Sequence, residues 1–330
     1  MHSYSETVQA ETQHQSATSA QTARESTDNK SVLFVGDNGL ILRGTQRGDP
    51  SGTIVLLLHG GGQTHHAWSH TARALATAGF CAITLDARGH GNSDWSPRGD
   101  YSANALSADL RLVLQSLPSS PIIVGASMGG LTSMLALGED TSLTCQGLIL
   151  VDVAPRLELS GVRRILKFMR QHQQGFDSLE QAGEAIAAYN PRRSPSHNST
   201  GLRKNLRLDE ESGRFHWHWD PAFLDHAVDP GSGEGLFDRE QLDQAAQNLS
   251  LPVLLIRGFH SDVLSEEGAQ ELLSLIPQSD YVVLEQAGHM VAGDRNSVFT
   301  EAVLDFLCRL EQGENRFQRI RASTAAHNGS

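Results

Sequence analysis

The sequence predicts an α/β protein, an eight-stranded, mostly parallel sheet flanked by helices and interrupted by an inserted, mostly helical cap. Three observations predict it. Short apolar, β-branched runs of strand length alternate with segments of helical period between residues 32 and 310. Residues 155–236 break that rhythm with basic pairs, Pro/Ser/His-rich loops and an aromatic patch, and about 80 residues between two core strands is too long for a loop. Finally, 330 residues with 39% hydrophobic and 19% charged side chains match a soluble globular protein of one α/β core plus additions.

In chain order, residues 32–35 and 40–43 read as the first two strands and 54–58, Ile-Val-Leu-Leu-Leu, as the third. A helix over 67–78 leads to a strand at 81–85, and Ser102 caps a helix over 103–117. Strand 122–124, helix 128–137 and strand 148–151 complete the first half. Beyond the insertion come helix 238–248, strand 253–256, helix 266–275, strand 281–284 and helix 297–310. The core is therefore expected at 31–154 and 237–311, with the cap at 155–236. Residues 1–30, rich in Ser, Thr, Gln, Glu and Ala, and the tail 312–330 are expected to be disordered. The first of these has no apolar run of the kind a secretory signal needs.

With 26 Lys+Arg against 38 Asp+Glu, the net charge is −12, and no basic run offers phosphates a binding stripe. Nucleic acid is thereby set aside as a partner. Cys81, Cys145 and Cys308 are far apart and form no CxxC pair, which fits a reducing, cytoplasmic location better than a disulfide framework. The longest apolar runs are strand-sized, well short of the roughly 20 residues of a membrane helix.

The sharpest local signal is Gly125-Ala126-Ser127-Met128-Gly129, placed between an apolar strand and a helical segment. In that setting the two glycines relieve crowding around a strained turn, Ser127 projects above the sheet edge, and the Met128 N–H faces a developing oxyanion. A hydroxyl needs a base, and His289 follows the strand 281–284 through the small-residue turn Gln286-Ala287-Gly288. The third member is a carboxylate that fixes the imidazole tautomer. Asp262, just past the strand 253–256, is favoured over Asp152 at the end of the strand 148–151, while Asp294 sits in a Gly-Asp-Arg-Asn turn suited to structural hydrogen bonds.

The order Ser127, Asp262, His289 on this strand–helix rhythm resembles the α/β-hydrolase fold family, in its serine-nucleophile esterase and haloperoxidase-like branch with a cap. Two further motifs carry the resemblance: His59-Gly60-Gly61-Gly62 after the third strand, and Asp86-Ala87-Arg88-Gly89-His90-Gly91-Asn92-Ser93 after the fourth. It extends over about residues 32–310. The resemblance implies that the Gly61 N–H joins that of Met128 in an oxyanion hole, although the glycine triplet is also similar to loops in which Gly62 would donate. It implies that His59 braces the loop, and that no cofactor is needed. Because Ser127 stands at the nucleophile position, the aspartate-dependent epoxide hydrolases and haloalkane dehalogenases of this fold are set aside.

Other constellations point to less. His66 and His70, and His216 and His218, have spacings that two metal ligands use, but no third ligand is evident and no metal site is expected. Gly60 to Gly62 lack the lysine of a phosphate loop. Trp217 and Trp219 would either wall an acyl pocket or anchor the cap. The expected function is hydrolysis of a small-molecule carboxylic ester or lactone. C–C bond hydrolysis, cofactor-free perhydrolase or haloperoxidase activity, and a non-catalytic ligand receptor are the alternatives.

Overall fold

The computed structural model describes residues 29–189, 199–227, 236–291, 297–313 and 319–322. Residues 1–28 of the N-terminal extension, and Asp294, lie outside the described residues.

All eight expected strands form one sheet. They are β1 (Lys30–Val35), β2 (Ile41–Arg47), β3 (Ile54–Leu58), β4 (Cys81–Leu85), β5 (Ile122–Ala126), β6 (Gly147–Val151), then β9 (Val253–Gly258) and β10 (Ser279–Leu284), with β7 (Leu206–Leu208) and β8 (Phe215–Trp217) lying in the insertion. A further strand, β11 (Arg319–Ala322), runs parallel to β10, with Tyr281 opposite Arg319. This differs from the expectation of a structureless tail after residue 312: four residues are too few to give a strand signal of their own, and pairing with β10 supplies the strand. The sheet order is β1-β2-β4-β3-β5-β6-β9-β10-β11. Only the β1–β2 and β2–β4 pairs are antiparallel.

Every residue of β3, β4, β5, β6 and β9 is buried, because helices cover both faces of a parallel sheet. The two faces separate by alternation. Ile54, Leu56 and Leu58 join a cluster with the helices α2 (Ala103–Ser116), α3 (Met128–Glu139), α8 (Arg239–Gln247) and α9 (Glu266–Leu275). Val55 and Leu57 face α1 (Ser69–Thr77) and α10 (Ser297–Glu311) instead. Ser102 caps α2 as its sequence indicates, its Oγ accepting the Ala105 N–H at 3.3 Å.

The insertion carries α4 (Leu159–Gln171), α5 (Leu179–Tyr189), the single turns α6 (Ser199–Leu202) and α7 (Phe223–His226), and an antiparallel β7–β8 hairpin that pairs Leu206 with Trp217. Its apolar side chains form a third cluster with three core residues, Tyr101, Leu106 and Met128. Among the described residues no helix is long and apolar enough to cross a membrane.

Candidate active site

Ser127 stands between β5 and α3 with φ 47° and ψ −115°, a left-handed conformation rare for a residue with a side chain. Such a conformation costs on the order of 1–3 kcal/mol and persists only where its surroundings impose it. Here they do. Its N–H donates to Val151 O at 3.2 Å, and its carbonyl accepts the N–H groups of Gly130 and Leu131 at 2.9 and 3.0 Å. A Cβ on Gly125 would lie 2.6 Å from Gly130 Cα, and one on Gly129 would lie 2.6 Å from Leu58 O, so backbone passes where side chains would be.

The loop that carries Gly60, Gly61 and Gly62 lies against this turn. A Cβ on Gly60 would stand 3.3 Å from Ser127 Cβ, and one on Gly61 would stand 3.9 Å from Met128 Sδ. The loop is braced by two neutral histidines. Ala87 N–H donates to His59 Nε2 at 3.0 Å, so the ring's proton is on Nδ1 and donates to Gly60 O at 2.8 Å. Gly62 N–H donates to His90 Nε2 at 3.0 Å, and His90 Nδ1–H donates to Arg88 O at 3.0 Å. Burial holds His90 down at about 3 and lowers His59 in the same direction. The Gly62 amide is thus committed to His90, whereas the sequence left Gly61 and Gly62 as alternative donors. Gln63 Oε1 takes the Gly60 amide at 3.1 Å. Among the described residues the Gly61 and Met128 amides have no hydrogen-bond partner.

His289 follows β10, and its side chain is 11% exposed. Its Nδ1–H donates to Asp152 Oδ2 at 2.7 Å. Asp152, fully buried at the end of β6, has φ 52° and also receives the Gly258 N–H on Oδ1 at 2.8 Å and the Ser261 hydroxyl on Oδ2 at 2.5 Å. Ser127 N–H is bonded to the residue just before Asp152, so the serine and the carboxylate stand at the carboxyl ends of the neighbouring strands β5 and β6, and the imidazole reaches that carboxylate from beyond β10.

Asp262, the carboxylate favoured from sequence, is elsewhere. Its Oδ2 accepts from Arg164 Nε at 2.7 Å and Nη2 at 2.6 Å, and 41% of its side chain is exposed. The turn after β9 explains the difference: Ser261 faces Asp152, and the next side chain is turned away toward α4 of the insertion. The two tryptophans also divide. Trp217 packs on Phe176 and Phe168, ring centroids 5.2 and 5.9 Å away, and holds the cap together rather than lining the loop. Trp219 reaches the loop, its Nε1 lying 3.8 Å from where a Gly62 Cβ would be. Phe223 and Met169 approach Gly61 and Gly62 in the same way, at 3.3 and 2.8 Å. Among the described residues no group of three or more His, Cys, Asp or Glu side chains is arranged to hold a metal ion.

Chemically, such a site provides a serine on a strained turn, an imidazole whose Nδ1 is committed to a buried carboxylate, and two amides free to receive an anion. A sequence-family model described as the alpha/beta hydrolase fold matches residues 53–295. An esterase of Mycobacterium tuberculosis is 31% identical over 259 residues, 76% of this chain and 80% of that protein. An sn-1-specific diacylglycerol lipase of Mus musculus is 28% identical over 268 residues, 79% and 82% of the two chains. The solved structure of an E-2-(acetamidomethylene)succinate hydrolase superposes with a TM-score of 0.72 at 22% identity, over 85% of this chain and 99% of that one.

Proposed function

Because this chain belongs to the alpha/beta hydrolase fold family, we propose that it cleaves a carboxylic ester or lactone through an acyl-enzyme. Ser127 is the nucleophile, His289 the base and Asp152 the acid of the triad. The relatives named as an esterase and a diacylglycerol lipase support ester hydrolysis as the reaction class. The observation that carries the residue roles is the 2.7 Å bond from His289 Nδ1 to the buried Asp152, one residue beyond the carbonyl that Ser127 N–H holds.

As the Ser127 hydroxyl attacks the ester carbonyl, its proton passes to His289 Nε2, the nitrogen left basic because Nδ1 keeps its proton toward Asp152. The charge that develops on the carbonyl oxygen is met by the Gly61 and Met128 N–H groups, each donor worth roughly 10²- to 10³-fold in rate. Met128 opens α3, so the helix dipole adds to its amide. Collapse of the tetrahedral intermediate expels the alcohol, which takes the proton from His289. Water deprotonated by His289 then releases the acid and restores Ser127. Around the loop, Met128, Met169, Phe223 and Trp219 offer thioether and aromatic surface, which suits an uncharged substrate.

Steady-state hydrolysis of p-nitrophenyl esters from acetate to decanoate tests the reading, with Ser127→Ala as its control. Turnover by the native chain, lowered about 10⁴-fold or more in the variant, is the expected result. Turnover that survives in Ser127→Ala removes the serine from the mechanism.

A further inference from the structure

We propose that Ser261 is a positioning residue for this reaction, a proposal that rests on the triad reading above: its hydroxyl holds the Asp152 carboxylate where His289 needs it. The reasoning is a count of donors and acceptors. A serine hydroxyl has one proton to give and two lone pairs to receive with. Ser261 Oγ receives the Val263 N–H at 3.2 Å and the Leu264 N–H at 3.1 Å. Both lone pairs are thus taken by backbone, and the proton goes to Asp152 Oδ2, 2.5 Å away. Ser261 is itself fixed by its own N–H, which donates to Gly258 O at 3.0 Å.

Asp152 therefore meets three donors, Gly258 N–H on Oδ1 and the Ser261 and His289 protons on Oδ2. Two of the three come from the last residue of β9 and the turn that follows it, so this short stretch sets the carboxylate's rotation and the imidazole follows. Swinging Oδ2 away from His289 would break a charge-assisted hydrogen bond to a hydroxyl that, among the described residues, has no other acceptor for its proton. Sharing Oδ2 has a second effect. The serine draws on the same negative charge as the imidazole, which favours the Nδ1 proton staying on His289 while Nε2 does the acid–base work.

The test is hydrolysis of p-nitrophenyl butyrate by the full chain carrying Ser261→Ala, Ser261→Thr, Asp152→Asn, or Asp152→Asn together with Ser261→Ala. The rate of Ser127 modification by a fluorophosphonate serves as a second readout of nucleophile activation. Ser261→Ala is expected to lower kcat about tenfold with KM within about twofold, as loss of one hydrogen bond to a charged group would. Ser261→Thr restores kcat, and Ser261→Ala costs nothing further once Asp152 is Asn. If the alanine variant does not fold, Ser261→Cys, a weak donor of similar shape, takes its place with the same expected loss. Native kcat in the alanine or cysteine variant, a full loss that persists on top of Asp152→Asn, or failure of threonine to rescue overturns the positioning role. Native turnover in Asp152→Asn or Ser127→Ala instead overturns the triad reading itself, which separates the two failures.

Discussion

At the scale of single residues, the two candidate carboxylates separate by what they touch. Asp152 is enclosed and receives hydrogen bonds only from donors, whereas Asp262 faces solvent and pairs with Arg164. Asp152→Asn is expected to lower kcat by about 10³- to 10⁴-fold, since an amide there no longer fixes the imidazole tautomer. Asp262→Asn is expected to change kcat by less than about threefold, because an exposed ion pair contributes about 0–1 kcal/mol. Equal effects in steady-state assays would reverse the assignment. The histidines behind the Gly60–Gly62 loop carry a second expectation. His90 and His59 are held below the ordinary histidine value by burial, and His66 falls to about 4 for the same reason with His65 adding repulsion. The unfolded chain binds protons on these rings below about pH 6.5 while the folded chain does not. Stability is therefore full above that pH and falls steadily toward pH 4. Melting temperatures across that window should decline less steeply for His90→Gln, whose amide can still accept from Gly62, and identical slopes would remove His90 from the account. Ser127 and His289 were legible as candidates because a strand, a glycine-flanked serine and a strand–turn–histidine are local patterns. The carboxylate that meets His289 was not, because both aspartates follow strands that are neighbours in the sheet. Which one turns inward depends on the Ser261 hydroxyl's bonds to Val263 and Leu264 and on an arginine nearly 100 residues earlier.

At the scale of elements, the turn after β4 is the joint of the site. Arg88, buried, donates from Nε and Nη2 to the two oxygens of Asp109 on α2 at 2.6 and 2.7 Å. Asp109 also receives the Asp37 N–H between β1 and β2, so one ion pair ties together the first hairpin, the β4 turn and α2. Asp109→Asn would strand a buried guanidinium and is expected to destabilise the fold by about 3–5 kcal/mol, read as a lower urea midpoint. A loss below about 1 kcal/mol would show that water replaces the carboxylate. The same turn meets the cap: Gly91 N–H donates to His218 O at 2.6 Å, Asp220 N–H to Gly89 O at 2.8 Å, and Tyr101 OH to Asp220 Oδ2 at 2.5 Å. Between those bonds sits His90, which holds Gly62, so the insertion and the Gly60–Gly62 loop share a support. The core strands were legible because burial on both faces makes them continuously apolar. The β7–β8 hairpin and β11 were not, since strands of three and four residues are too short to carry a pattern of their own.

At the scale of the whole molecule, the cap does not own its hydrophobic cluster. Leu166, Met169, Phe176, Trp217, Trp219 and Phe223 pack with Tyr101, Leu106 and Met128 of the core, and Met128 begins the helix that follows the nucleophile. Cap and core are therefore expected to melt in one calorimetric transition whose van't Hoff and calorimetric enthalpies agree, whereas two resolved transitions would make the cap an independent unit. The broken rhythm of the sequence pointed to a segment inserted after β6 but not to its sharing of a core, because the packing joins residues as far apart as Tyr101 and Phe223. The position of Asp152 has a consequence for dissecting the protein. Ser127 and Asp152 directly follow adjacent parallel strands joined by one helix, so the proposed nucleophile and acid travel together in the stretch before the insertion, and His289 lies wholly after it. A chain severed inside the insertion would yield two halves, neither able to turn over an ester alone, and recovered hydrolysis on mixing them would be a direct signal of their reassembly.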